Sequence, residues 1–141
     1  MKFWDASAVV PLLVAERPSA GLLELLARDQ TMLAWWATPV ECASAIARRE
    51  REGALSGPAS SAALGKLRAV SAGWHEVLPS EAVRELAQRL LRVHPLRSAD
   101  SLQLAAALVA ADGDPANLDF VCLDERLNDA ARREGLRLVP G

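Results

Sequence analysis

Four carboxylates stand where a carboxylate needs a reason. In the opening stretch MKFWDASAVV, Asp5 follows Phe3 and Trp4 and precedes an apolar run over residues 8–13. Glu41 lies three residues after Thr38, the spacing of a capping box. Asp100 sits at the head of SADSLQLAAALVAA, where a carboxylate favours the helix dipole. Asp124 follows LDFVCL and precedes a polar helical segment, an ordinary cap position. Each acid alone has this plain structural explanation. Their joint placement asks for another. In a parallel α/β sheet, strand C-termini and the first turns of the following helices share one edge, the edge at which ligands bind. All four acids are expected on that edge. Asp100 also heads a helix too apolar to be exposed, and an unpaired buried carboxylate is expensive. Converging carboxylates raise one another's pKa unless a cation neutralises them. A hard ion that prefers oxygen, Mg²⁺ or Mn²⁺, suits such a set.

Other chemistries fit the residues less well. His75 and His94 are far apart and in no zinc-ligand spacing, so both read as surface or loop residues. Cys42 and Cys122 lie close to candidate acids but lack companion ligands, which makes them small buried hydrophobes. No glycine-rich phosphate loop and no G-x-S-x-G elbow occurs. A phosphatase with an aspartyl nucleophile would want a second Asp two positions after the first, where this chain has Ser7. A phosphoacceptor domain would want adjacent acids and a distal lysine, and the only lysines are Lys2 and Lys66.

The elements that must position the acids follow from periodicity and breakers. Residues 2–5 read as a short buried strand. A helical pattern runs from Ser7 until Arg17-Pro18, since a residue before proline is pushed out of the α region. Leu22, Leu23, Leu25 and Leu26 stripe a helix over 19–28, and TMLAWW at 31–36 reads as a strand. Trp35 and Trp36 must then point to opposite faces, one of them into the core. Thr38 as cap and Pro39 at the first position begin a helix that runs to about Glu52. Residues 54–73 read as a helix plus loops, and HEVLP at 75–79 as a short strand. Over 80–92 a helix turns Val83, Leu86, Leu90 and Leu91 inward. The segment from Ser98 is apolar almost all round and is expected to be a central, buried helix. A strand in LDFVCLD, a helix over 125–134 closed by Gly135, and a last strand LRLV complete the chain. Alternating strands and helices with short connections imply an α/β sandwich with a mainly parallel sheet.

Bulk properties agree with one globular domain over residues 1–141. Hydrophobic residues make up 51% and charged residues 24%, which excludes a disordered chain. The net charge of −2 carries no basic signature, yet four acids gathered on a cation would leave the rest of the surface net positive. Two cysteines without framework spacing point to a reducing compartment. Pro11 interrupts residues 6–15, which do not read as a signal-peptide core. No apolar stretch approaches the roughly 20 residues that span a bilayer. The expectation is a cytoplasmic protein without a membrane segment.

FWDASAVV, Glu41 in the third helix, LRSADSLQLAAAL and FVCLDERLNDAARREGLRLV together resemble a PIN domain, most closely the VapC-type toxins of toxin–antitoxin pairs. The resemblance spans nearly the whole chain and keeps the family's order. It implies a PIN-like α/β/α sandwich and a ribonuclease dependent on Mg²⁺ or Mn²⁺, with Asp5, Glu41, Asp100 and Asp124 as catalytic and metal-binding acids. Ser7 takes the family's hydroxyl position, orienting a carboxylate or water. Members often carry Thr or Ser two residues before the last acid, and here Cys122 stands there. Arg97 and Arg126 are expected to contact RNA phosphates, with Arg48 and Arg49 near them; a solvated helix face explains Arg48, Arg49 and Arg51 equally well. The resemblance further implies a homodimer and a cognate VapB-type antitoxin, for which helices 19–28 and 40–52 offer docking surfaces. The alternative from another class is a PIN-like scaffold that binds RNA or protein without cutting, its acids serving as caps.

Overall fold

A computed structural model describes residues 1–139. Strands β1 (Lys2–Trp4), β2 (Met32–Trp35), β3 (His75–Val77), β4 (Asp119–Val121) and β5 (Arg137–Val139) form one sheet in the order β3-β2-β1-β4-β5. Every neighbouring pair is parallel. The described residues add helices α1 (Ala6–Leu13), α2 (Ser19–Arg28), α3 (Thr38–Arg51), α4 (Gly57–Gly73), α5 (Glu81–Val93), α6 (Ser98–Ala111) and α7 (Glu125–Arg133).

A parallel sheet covered on both faces needs strands that are apolar on both sides, which is why β1 and β4 do not alternate with polar residues. Phe3 and Trp4 are both fully buried and point to opposite faces. Phe3 stacks on Phe120 with ring centroids 5.7 Å apart and joins a core built from α5, α6 and α7. Trp4 enters a second core with Val9, Ile46, Leu67 and Trp74, beneath α1 to α4. The fold is the expected α/β/α sandwich. In α6, Leu104 and Ala105–Ala107 have no exposure, and three small side chains in a row let this helix lie close against its neighbours.

Several elements differ from the sequence expectation. Helix α1 stops at Leu13 rather than at Arg17: Val14 is extended, and the Ser19 hydroxyl donates to the Val14 carbonyl and accepts from the Glu16 amide, so residues 14–18 make a side-chain-bonded turn. Residues 57–73 form one continuous helix capped by Ser56, whose hydroxyl accepts from the Ala59 amide. Leu91 is 40% exposed, because Val83, Ala87 and Leu90 already define the buried stripe of α5. His94 is buried, not a surface residue; its ring nitrogen meets the Glu134 carboxylate at 2.6 Å and ties the end of α5 to the end of α7. Trp35 is core and Trp36 is exposed, as their adjacency requires.

Gly135 closes α7 with φ +95°, in the left-handed region, and a Cβ there would stand 3.2 Å from Pro115 Cγ. Gly135→Ala is therefore expected to destabilise the protein by about 1–2 kcal/mol. Urea unfolding checks this: the midpoint should fall with the slope unchanged, and an unshifted midpoint would refute it.

Candidate active site

Asp5 sits one residue beyond β1. Its backbone N–H donates to the Val121 carbonyl at 2.9 Å, which carries the β1–β4 pairing one step past the strand. Its Oδ2 caps α1 by accepting from the Ser7 amide at 3.0 Å, and it also accepts from the Ser7 hydroxyl at 2.5 Å. That hydroxyl in turn accepts from the Leu123 amide at 2.9 Å. Ser7 thus ties the first acid to the segment that leads into the last. Cys122 Sγ lies 3.5 Å from both Asp5 Oδ2 and Ser7 Oγ. Burial pushes the Asp5 carboxyl above its ordinary range, with the Ser7 hydrogen bonds pulling it partly back.

Asp124 caps α7, its Oδ1 accepting from the Leu127 amide at 2.8 Å. Asp100 lies in the first turn of α6. Burial raises its pKa, the charges of Asp124 and Asp5 raise it further, and Arg97 opposes them. Glu41 lies in the first turn of α3. Burial lifts its carboxyl to about 7, assisted by Asp5 and then Asp100. Glu41 and Asp100 therefore each feel other acids of the cleft.

The capping box at Thr38 does not form. Ala37 is the N-cap of α3 and no side chain caps it; Thr38 is fully buried and its hydroxyl accepts from Gln103 Nε2 at 2.9 Å. The Glu41 carboxylate also turns to Gln103, accepting from Nε2 at 3.2 Å. The ordinary explanation thus holds for Asp5 and Asp124 and fails for Glu41.

All four acids and Ser7 line one cleft of about 1220 Å³. Arg48, Arg97 and Arg126 line it too and are exposed. Arg49 also faces it and pairs with Glu16 through contacts of 3.0 and 3.1 Å. His75 and His94 do not line it. Cys42 is buried beside Glu41, and burial, then Glu41 and Asp5, push its thiol up to about 12, so it stays a neutral hydrophobe. The donor set, carboxylate and hydroxyl oxygens with like charges held close, matches a hard divalent cation. Among the described residues, however, no three His, Cys, Asp or Glu side chains are gathered tightly enough to form a ready-made metal site. The acids share the cleft as separate groups.

Gln103 is the residue that the sequence reading passed over. A lone glutamine on an apolar helix looks like noise; its spacing of three from Asp100, which puts both on one side of α6, was the available signal.

Two curated relatives are similar to this chain over almost its whole length. It is 32% identical to ribonuclease VapC45 and to ribonuclease VapC49, both of Mycobacterium tuberculosis, over 147 aligned positions that cover 98% of this chain and 94% of each relative. No family model matches. Among solved structures, M. tuberculosis VapC20, described as a sarcin-ricin loop cleaving toxin, superposes with a TM-score of 0.69 at 16% identity, covering 92% of this chain and 95% of that one. FitAcB of Neisseria gonorrhoeae gives 0.68 at 14% identity over 98% and 96% of the two chains. VapBC2 of Rickettsia felis, bound to a fragment of promoter DNA, gives 0.66 at 14% identity over 97% and 96%. At such identities the structures establish the fold alone, that of PIN-domain toxins. No helix among the described residues is long and apolar enough to cross a membrane.

Proposed function

This chain belongs to the VapC ribonuclease family, and on that premise we propose that it is an endoribonuclease dependent on Mg²⁺ or Mn²⁺, the toxin of a toxin–antitoxin pair, working as a single domain over residues 1–141. The observation that carries this reading is the delivery of Asp5, Glu41, Asp100 and Asp124 from four separate segments into one cleft. These four would hold the cation, with Asp5 as its most rigid member. A bound divalent ion supplies charge neutralisation at a phosphate and a more acidic attacking water.

The chain's own residues do the rest. Asp5, fixed by Ser7, presents a carboxylate that cannot swing away. Glu41, held by Gln103, presents its carboxylate from the α3 side of the same cleft, whose lining includes no histidine. Arg97 and Arg126 flank the acids and draw the RNA backbone to them. A VapB-type antitoxin and a second copy of the chain are the proposed protein partners, in the cytoplasm.

One observation favours a second reading. Because no three acids are gathered as ligands, a scaffold of the same fold that binds RNA or protein without cutting remains the competitor. The experiment is incubation of total RNA and tRNA with the protein, in Mg²⁺ or Mn²⁺ and in EDTA, beside Asp100→Asn. A discrete cut that needs metal and is lost in the variant supports the nuclease. Equal cutting by the variant removes Asp100 from the site, and no cutting in any buffer favours the scaffold.

A further inference from the structure

Gln103 is fully buried in the middle of α6, among apolar neighbours. Its Nε2 reaches two acceptors on α3, Thr38 Oγ1 at 2.9 Å and Glu41 Oε1 at 3.2 Å. Its Oε1 is buried with no partner. Turned round, the amide would set its carbonyl against Glu41 in the ionised form that a cation requires, and that form only accepts. A leucine or methionine of similar volume would fit this helix without leaving a polar atom unsatisfied, so core packing does not explain the glutamine. Glu41 does. The Thr38 contact fixes the amide, and the amide fixes the rotation of the carboxylate at the wall of the cleft.

Resting on the functional reading above, we infer that Gln103 is a positioning residue: it holds the Glu41 carboxylate in the orientation that receives the divalent cation. Asp100 and Gln103 lie one helical turn apart on α6. A single helix thus delivers one acid directly and aims a second, from α3, through a buried amide. The two acids keep a fixed relation even though no backbone hydrogen bond joins α3 to α6. Outer partners of metal-binding carboxylates act in this way, and their loss typically weakens metal binding by 10–100-fold.

The test is Mn²⁺ titration of the full chain by calorimetry without RNA, together with kcat and KM for RNA cleavage. Gln103→Leu is expected to weaken Mn²⁺ binding about tenfold and to lower kcat, while KM for RNA stays within about twofold. Gln103→Met, which fills the space differently, should do the same and serves if the leucine variant folds poorly. In a Glu41→Gln background, Gln103→Leu should cost nothing further, because its effect runs through Glu41. Wild-type Mn²⁺ affinity and kcat in either variant would overturn the inference, as would a second tenfold loss in the Glu41→Gln background, the mark of a general packing defect. If the wild-type protein itself neither binds Mn²⁺ nor cuts RNA, the functional reading falls and takes this inference with it. If it does both and the Gln103 variants match it, only this inference falls.

Discussion

Asp5→Asn is expected to reduce RNA cleavage by on the order of 10³-fold while leaving the metal-free protein at least as stable as the wild type. The rate loss follows from removing a charge that a divalent cation needs, since such a cation contributes several kcal/mol to the transition state and each 1.36 kcal/mol is tenfold. The stability result follows from burial. The Asp5 side chain is almost wholly out of water and its carboxyl is pushed upward, so the charged form is a burden on the empty fold. An asparagine keeps an oxygen that accepts from the Ser7 amide and hydroxyl, and α1 retains its cap. Paired assays decide it: kcat/KM on RNA with Mn²⁺, and the melting temperature in EDTA. A variant that cuts normally would show that Asp5 is an ordinary helix cap, and one that melts well below the wild type would show that the buried charge stabilises the metal-free fold.

The second expected result concerns pH. Without divalent ions, the protein should lose stability as pH rises from about 4.5 to about 7 and then level off. Burial and the neighbouring acids lift the Glu41 carboxyl from 4.5 to about 7. In that window the folded state keeps a proton that the unfolded chain has released, so stability falls as pH rises. The contribution is on the order of 2 kcal/mol for a half-buried group, or roughly 5–10 °C in melting temperature. Asp5 and Asp100, raised as well, act in the same direction. Saturating Mn²⁺ at pH 8 should recover the loss by binding only the folded state, with about 2.7 kcal/mol expected at a hundredfold excess over Kd. Glu41→Gln should flatten the pH profile. Thermal melts across pH 4.5–8, with and without Mn²⁺, supply the measurement; a profile that is flat in the wild type, or unmoved by Mn²⁺, would mean that the acids do not share one field.

How much of this was legible in the sequence depends on the kind of signal. Asp5 and Asp124 were readable because a strand end, a polar residue and a helix start follow one another in the chain, and both do cap helices in the structure. The two-faced burial of β1 was readable from its adjacent Phe3 and Trp4, which a strand must send to opposite faces. Local grammar failed where a distant residue overrides it. The Thr38 and Glu41 spacing satisfies the capping-box pattern, yet both side chains turn to Gln103, more than sixty positions away. Ser19 ends α1 early by bonding across a turn, a contact no periodicity announces. His94 looked like a loop residue because its partner, Glu134, is forty positions downstream. Over 54–73 a helix was readable but its extent was not, because Ala, Ser and Gly carry little apolar contrast; it fills 57–73 and faces α3 and α1 well enough to bury Ser60, Ala63 and Leu67.

The order of the strands along the chain has a consequence for folding. β1 precedes the other four strands in the chain and lies in the middle of the sheet, while β4, which it pairs with, follows β2 and β3. The contact of Cys122 with Asp5 joins residues 117 positions apart. A chain still on the ribosome therefore holds its first acid with no cleft to put it in. Such long-range closure is slow. A copy that stops before β4 lacks Asp124 and with it the final wall of the cleft.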